Sequence, residues 1–495
     1  VGGYSELESR FRRIAIFGEV QTVLHWDAST MMPETAAGPR GDQLAELKLL
    51  RHRLLSDPDI GRLLDDAEAE NLTDWQAANL RQMRREYRFE TALDDRLVED
   101  LSKACSACEH AWRGARAGSD FKSVAPLLDD VLDLTRESAA AYAAAFDLAP
   151  YDALLEAYAP GMRAARIDPI FDDYAAFLPG FLEKVLTRQE AEGGKPIAPR
   201  AADPVHQKAL IDRLAVAVGF NEKGGRIDVS AHPFSTGYPG DQRITVTFDP
   251  ADPTNAVMAV LHECGHAAYE AGLPKEWARQ PVGASLGMVV HESQSLSIEM
   301  QASRSDAFLT WLAGQAREVL GDDPAFDVEN FKRYQQWVEP GFIRVTADEV
   351  TYPAHVILRT RLERALLSGD LVVADLPGAW NEGMKTLLGI DVPDDRRGCL
   401  QDIHWYDGAI GYFPTYSLGA MLAAQLAEAA HADLPEIPEF LGRGEFSPLM
   451  RWLGGAIHSK GSYLSADALI EGATGRPLDA SAFKRHLTTR YLKEN

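Results

Sequence analysis

Apolar residues recur at intervals of three and four along most of this chain, with charged and polar residues between them. That spacing gathers apolar side chains into one stripe of a helix, so the pattern predicts a mainly α protein. The stretch from Trp75 to Trp112 is a clear case, its apolar positions separated by Arg and Glu. Comparable patterns cover Asp129 to Phe146, Pro169 to Gln189, Val205 to Val218, Val282 to Leu320, Ala347 to Leu367 and Leu418 to Ala430. Alternating β-branched runs are few. The clearest are Arg226 to Ser230 and Arg243 to Phe248, with the turn-forming STGYPGDQ between them, which predicts a small sheet of two or three strands.

No repeat or low-complexity tract divides the chain, and Glu190 to Pro204 reads as a surface loop rather than an interdomain linker. The expectation is a single unit over residues 1–495, with a helical portion of about 1–200 leaning over a catalytic portion of about 201–495. A formal net charge of -24 makes nucleic acid a poor partner, because backbone binding needs clustered cations. No stretch approaches the roughly 18 unbroken apolar residues of a membrane span, and VGGYSELESRFRRIA at the start lacks a signal-peptide apolar run. Four cysteines in so long a chain make no disulfide framework, so a reducing, cytoplasmic setting is expected. Cys105 and Cys108 form a CxxC, but on a helical segment with no second pair at zinc spacing. An ordinary helix surface is the expectation there, over a redox or metal role.

Candidate chemistry concentrates in DPTNAVMAVLHECGHAAYEAGLP, Asp252 to Pro274. Asp252 before Pro253 predicts a helix start, and Gly272 with Pro274 a stop. Val257, Val260, Leu261, Cys264 and Ala268 repeat at helical spacing and should face the core. His262 and His266, one turn apart, present two imidazoles that can converge on one ion at about 2 Å each. Glu263 points beside that ion, where it can serve as base toward a water. The plainer alternative is a helix with two exposed histidines and a solvated Glu. A third ligand is needed. The metzincin extension is excluded, because Tyr269 and Gly272 stand where its Gly and His belong. A carboxylate from a later helix remains, and Glu292 and Glu299 share one helical face. Glu292, after the apolar approach Leu286, Met288, Val289 and Val290, is favoured on position; Glu299 stays open as a ligand or as the partner of an Arg.

HECGH followed by HESQS resembles the thermostable carboxypeptidase family of zinc peptidases, the carboxypeptidase Taq or M32 family. IRVTAD (Ile343 to Asp348), GCLQDIHW (Gly398 to Trp405) and HWDASTMMPETAAGPRGDQLAEL from His25 resemble further motifs of that family, so the similarity spans nearly the whole chain. The resemblance implies a gluzincin-type helical fold with a central substrate cleft, the small sheet lying beside the active-site helix. It implies one zinc on His262, His266 and Glu292, a peptide substrate with a free C-terminus, and a homodimer. His and Glu donors accept cobalt as well as zinc. Arg344 resembles the residue that receives the substrate's terminal carboxylate. His404 and a Tyr of GYFPTY, Tyr416 ahead of Tyr412, are the implied transition-state donors.

Read without the resemblance, these residues allow ordinary roles. Arg344 offers a planar fork that matches a carboxylate, but a salt bridge to Asp348 or Glu349 would use it equally well. It precedes a helix for which Thr346 or Asp348 is the expected cap. His404 lies on a loop with Gly408 and Gly411, and a lone His is more often structural than catalytic. His232, Arg243 and Gln294 are further candidates to line the cleft. His232 stands in HPF, where the chain is read as departing from the family pattern, which leaves its role open. His25 and Trp26 are expected to be packing residues. The expected reaction is hydrolysis of a peptide's last amide bond, with Glu263 moving the proton and Arg344 fixing register. Three rivals stand beside it: a zinc endo- or oligopeptidase without the carboxylate anchor, a silent helical binding protein holding structural zinc, and a redox protein using Cys105 and Cys108.

Overall fold

The structure, a computed structural model, describes residues 2–494. Among the described residues there are twenty α-helices, ten short 3₁₀ or π turns and three short strands. The helices fall where the apolar spacing placed them, but their ends are set by polar side chains. The pattern from Trp75 to Trp112 is two helices, Asp74–Ala92 and Asp95–Gly118, because the Asp94 carboxylate accepts the Leu97 N–H at 2.8 Å and starts a new one. The pattern from Val282 to Leu320 resolves into a helix Gly287–Leu296, a π-helical turn Ser297–Ala302 and a helix Asp306–Leu320 capped by Ser305. The pattern from Ala347 yields a helix only from Tyr352 to Ser368, since Asp348 holds the N–H groups of Val350 and Thr351 at 2.9 Å ahead of it. No described helix is long and apolar enough to cross a membrane.

The sheet has three strands, β1 (Gly225–Val229), β2 (Ser235–Tyr238) and β3 (Asp241–Val246). β3 is central, parallel to β1 and antiparallel to β2. Part of the STGYPGDQ stretch read as turn is therefore strand. The sheet packs against the helix Asn255–Gly272, which carries HECGH, with Ile244 and Val246 of β3 buried.

One hydrophobic core runs from Cys108 to Tyr491. A second, smaller cluster is confined to Tyr4 through Met83. Helices from Asp95 onward thus share their core with the HECGH region, and no core boundary falls near residue 200. Polar clamps join the first helices to the rest. The ring of Trp26, 5% exposed, has the guanidinium carbons of Arg226 at 4.6 Å and Arg243 at 4.3 Å from its centroid. Asn79 donates to Tyr4 Oη and Gln280 Oε1, both at 3.1 Å, and accepts the Val282 N–H. Trp26 is the packing residue the sequence suggested; His25, expected to pack with it, is exposed, because successive helical positions point some 100° apart.

At the centre, the helix Gly287–Leu296 is layered between the HECGH helix and the helix Pro414–Asp433. Two glycines set that spacing. A Cβ at Gly265 would lie 2.6 Å from both Gln294 O and Ser295 Cα, and one at Gly419 would lie 2.8 Å from Glu292 Cβ. Neither clash can relax without moving a helix. Gly265→Ala should therefore destabilise the protein by about 1–3 kcal/mol in urea unfolding. Gly314→Ala, in the exposed part of a helix with nothing within 4 Å of the added methyl, should stabilise it by about 0.5–1 kcal/mol.

Candidate metal centre

The HECGH helix starts later than its sequence suggested. Asp252 accepts the N–H and hydroxyl of Thr254 at 3.2 and 2.9 Å, so it closes the preceding turn, and the helix begins at Asn255. Val257, Val260, Leu261 and Cys264 are buried as expected, while Ala268 is only half-buried. The other face carries His262 and His266 toward Glu292 of the layered helix. Glu292 Oε2 lies 3.4 Å from His266 Nε2 and 3.8 Å from His262 Nε2. All three ligand atoms fall within 4.8 Å of one another. An ion about 2 Å from each of three tetrahedral donors separates those donors by roughly 3.3 Å, so the spacing suits one metal.

The far nitrogens of both rings are occupied. His262 Nδ1 meets Glu299 Oε2 at 3.0 Å, and the other oxygen of Glu299 accepts from Arg304 Nη2 at 3.0 Å. His266 Nδ1 meets His291 Nδ1 at 2.6 Å, and His291 Nε2 meets Glu270 Oε1 at 3.0 Å. Each ring is thus fixed through Nδ1 with Nε2 turned to Glu292, the arrangement that orients metal-binding imidazoles. Glu299, the alternative ligand, stands behind His262 and pairs with Arg304.

The electrostatics favour a cation. Burial opposes charge on His262, yet Glu292, Glu299 and Glu263 outweigh it and hold its pKa up to about 10. Burial pushes His266 down to about 4, which leaves its lone pair available. Glu292 loses solvation, but the imidazoles lower it to about 2. A divalent ion would take the place of the His262 proton among the same carboxylates, so the donor set fits a metal. Glu263 is 6% exposed, its Oε2 has no partner among the described residues, and burial pushes it up to about 7.

A second charged cluster lies alongside. Arg344 is 6% exposed and donates to Asp402 Oδ1 from Nε at 3.1 Å and Nη2 at 2.9 Å. The expected salt bridge to Asp348 or Glu349 does not form. Asp348 is spent on the helix start, and Glu349 binds His486, Arg490 and Tyr491. Arg359 holds the other oxygen of Asp402, and among the described residues Arg344 Nη1 donates only to Tyr352 Oη, at 3.3 Å. The guanidinium carbon of Arg344 sits 4.7 Å from the Tyr416 ring, and Tyr416 Oη is 3.2 Å from His404 Nε2. The charge of Glu292 helps raise the hydroxyl pKa values of Tyr352, Tyr412 and Tyr416, although burial is the larger cause. Glu292 and Arg344 thus act in opposite directions on the hydroxyls of Tyr352 and Tyr416. Burial lowers His404 to about 4, and its Nδ1 has no partner among the described residues. His404 Nε2 and Tyr416 Oη share this one hydrogen bond, in which one of the two donates and the other accepts.

Three candidates are engaged elsewhere or apart. Gln294, 1% exposed, is sealed between Ser293 and His458, so it does not line the site. Arg243 is forked onto Asp241 at 2.8 and 2.9 Å and stacked on Trp26. His232 is exposed ahead of β2. Burial pushes the thiols of Cys105 and Cys108 up to about 11 and 12, the reverse of what redox cysteines need. Sequence reading missed Glu270, His291, Asp402 and Tyr352. Glu270 carried a signal, for it continues the four-residue stripe of His262 and His266; Asp402 lies inside the QDIHW already noted.

Fold and site together define a helical HExxH metallopeptidase whose triad is completed by a carboxylate from a second helix. The chain belongs to the carboxypeptidase Taq (M32) metallopeptidase family, whose profile matches residues 6–491. It is a metallocarboxypeptidase, a metal-dependent hydrolase acting on peptides. It is 36% identical to thermostable carboxypeptidase 1 of Thermus thermophilus, over 99% of this chain and 98% of that protein. The structure superposes on metallocarboxypeptidase 1 of Trypanosoma cruzi with a TM-score of 0.97, at 39% identity and 99% coverage of both chains. It superposes on the M32 carboxypeptidase of Deinococcus radiodurans with a TM-score of 0.94, at 33% identity and 99% coverage of both.

If Nδ1 contacts orient the rings, Glu299→Gln and His291→Phe should each raise the metal dissociation constant by about 10- to 100-fold, measured by chelator competition.

Proposed function

We propose that the protein removes the C-terminal residue from peptides using one zinc per chain, held by His262, His266 and Glu292. Zinc bound there acidifies water and polarises the scissile carbonyl. Glu263, buried with an unpartnered oxygen and a carboxyl near neutrality, takes a proton from the attacking water and returns it to the leaving amine. As substrate enters, the His404–Tyr416 bond opens and both groups donate to the developing oxyanion; each well-placed donor contributes roughly 3–4 kcal/mol. Tyr412, whose ring centroid is 5.3 Å from that of Tyr416, is the lesser candidate, since Tyr416 is the one bonded to His404.

The observation that carries the exopeptidase reading is Arg344. Asp402 occupies one edge of its guanidinium, so Nη1, beside Tyr352 Oη, is left to receive a terminal carboxylate. An endopeptidase has no use for a buried, oriented guanidinium with one edge left open. The first helices, with their separate core, are proposed to border the substrate cleft within a single peptidase unit, where His232 is the remaining candidate to line the path. A homodimer is proposed from the family. Four free cysteines support a reducing, cytoplasmic setting. Cobalt, accepted by the same donors, should sustain turnover.

Glu263→Gln should keep its zinc, by metal analysis, and lose about 10²- to 10⁴-fold in kcat. A blocked peptide presented as free acid should be trimmed, and its C-terminal amide left intact, when products are read by mass spectrometry. Equal cleavage of both would favour the endopeptidase.

A further inference from the structure

Glu363 is a fully buried carboxylate that the chemistry above does not use. It lies in the helix Tyr352–Ser368, and no described cation comes within salt-bridge distance of it. Neighbouring Arg364 pairs with Asp168 instead. Burying an unpaired carboxylate costs several kcal/mol unless hydrogen bonds replace its water. Three donors do so. Oε1 accepts Tyr151 Oη–H at 2.6 Å and the Gly411 N–H at 3.2 Å, and Oε2 accepts Trp405 Nε1–H at 3.1 Å.

Two of these donors come from one loop, and their places on it are telling. Trp405 follows His404 directly, and Gly411 precedes Tyr412 directly. One carboxylate therefore holds both ends of the segment that presents His404 and leads into Tyr416. The loop is also pressed onto the helix Pro150–Tyr158: Gly411 has φ 90°, and a Cβ there would lie 3.1 Å from Leu155 N. Tyr151, the third donor, belongs to that same helix. Glu363 thus ties loop, helix and its own helix at one point.

We propose that Glu363 is a positioning residue that latches the His404–Tyr416 loop against the metal triad. This rests on the reading of His404 and Tyr416 as donors to the oxyanion. A displacement of about 1 Å in such groups costs on the order of a hundredfold in rate, so losing the latch acts on turnover rather than on binding.

The test is kinetic. Glu363→Gln keeps the shape but turns an amide N–H toward the Trp405 donor if its carbonyl serves Oε1. Tyr151→Phe removes one donor with little change in volume, and serves should Glu363→Gln fail to fold. Steady-state kcat and KM, zinc content and thermal midpoint would be measured for both, with His404→Ala as reference. The expected result is a kcat lower by about tenfold or more for Glu363→Gln and about threefold for Tyr151→Phe, with KM and zinc content near wild type. A purely structural Glu363 would lower the midpoint and leave kcat alone. If folded, zinc-loaded Glu363→Gln keeps kcat within about twofold of wild type while His404→Ala loses it, the latch is refuted. When Glu363→Gln does not fold, an unchanged kcat in Tyr151→Phe refutes it equally. An undiminished kcat in His404→Ala would instead overturn the donor reading beneath it, and the latch with it.

Discussion

Glu292 is a carboxylate at 6% exposure with two imidazoles opposite it, and the layering of the central helices exists in the form that lets it stay ionised there. Stripped of water, it would protonate; the two rings reverse that and depress it to about 2. The arrangement needs the Glu292 helix close to both of its neighbours, and the bare backbone at Gly265 and Gly419 permits that approach. Two imidazoles, a buried carboxylate and further carboxylates behind them make a negative, rigid cradle. Such a cradle suits a compact divalent cation.

Around this centre, each imidazole is held by a different device. His262 leans on the Glu299–Arg304 pair, His266 on the His291–Glu270 pair. The π-helical turn Ser297–Ala302 brings Glu299 to His262, and Arg490 from the C-terminal segment binds its carbonyls at Met300 and Gln301. The last helix of the chain therefore contributes to the stiffness of the metal site without touching it.

The Arg344 cluster follows a similar logic with opposite charge. A buried guanidinium is tolerable because Asp402 sits between it and Arg359. Held by Asp402, Arg344 serves, in the proposed function, to place the final peptide bond at the metal. Glu363 adds a further buried carboxyl, pushed up to about 7 by burial despite its three donors, attached to the loop that carries His404. Three costly burials in one region mark where geometry is held most tightly.

Much of this could be read along the chain. The helices, the pairing of His262 with His266 and the place of Glu263 depend on contacts within a few residues, which spacing alone encodes. Helix ends were less legible, since a cap such as Asp94 competes with periodicity rather than appears in it, and Asp348, an expected cap, instead closes the turn ahead of a helix whose N-cap is Thr351. Glu292 and Glu299 share one helical face because seven residues return a side chain to it; position and the family resemblance favoured Glu292, and the packing of the helix against both neighbours puts it with the two imidazoles and Glu299 behind His262. The partner of Arg344 proved to be Asp402, 58 residues on, and Gln294 proved sealed against His458, 164 residues on. Such pairings belong to no local pattern. They are decided when distant helices meet at a fixed distance and angle, and side-chain volumes at the contact determine which polar groups can face each other.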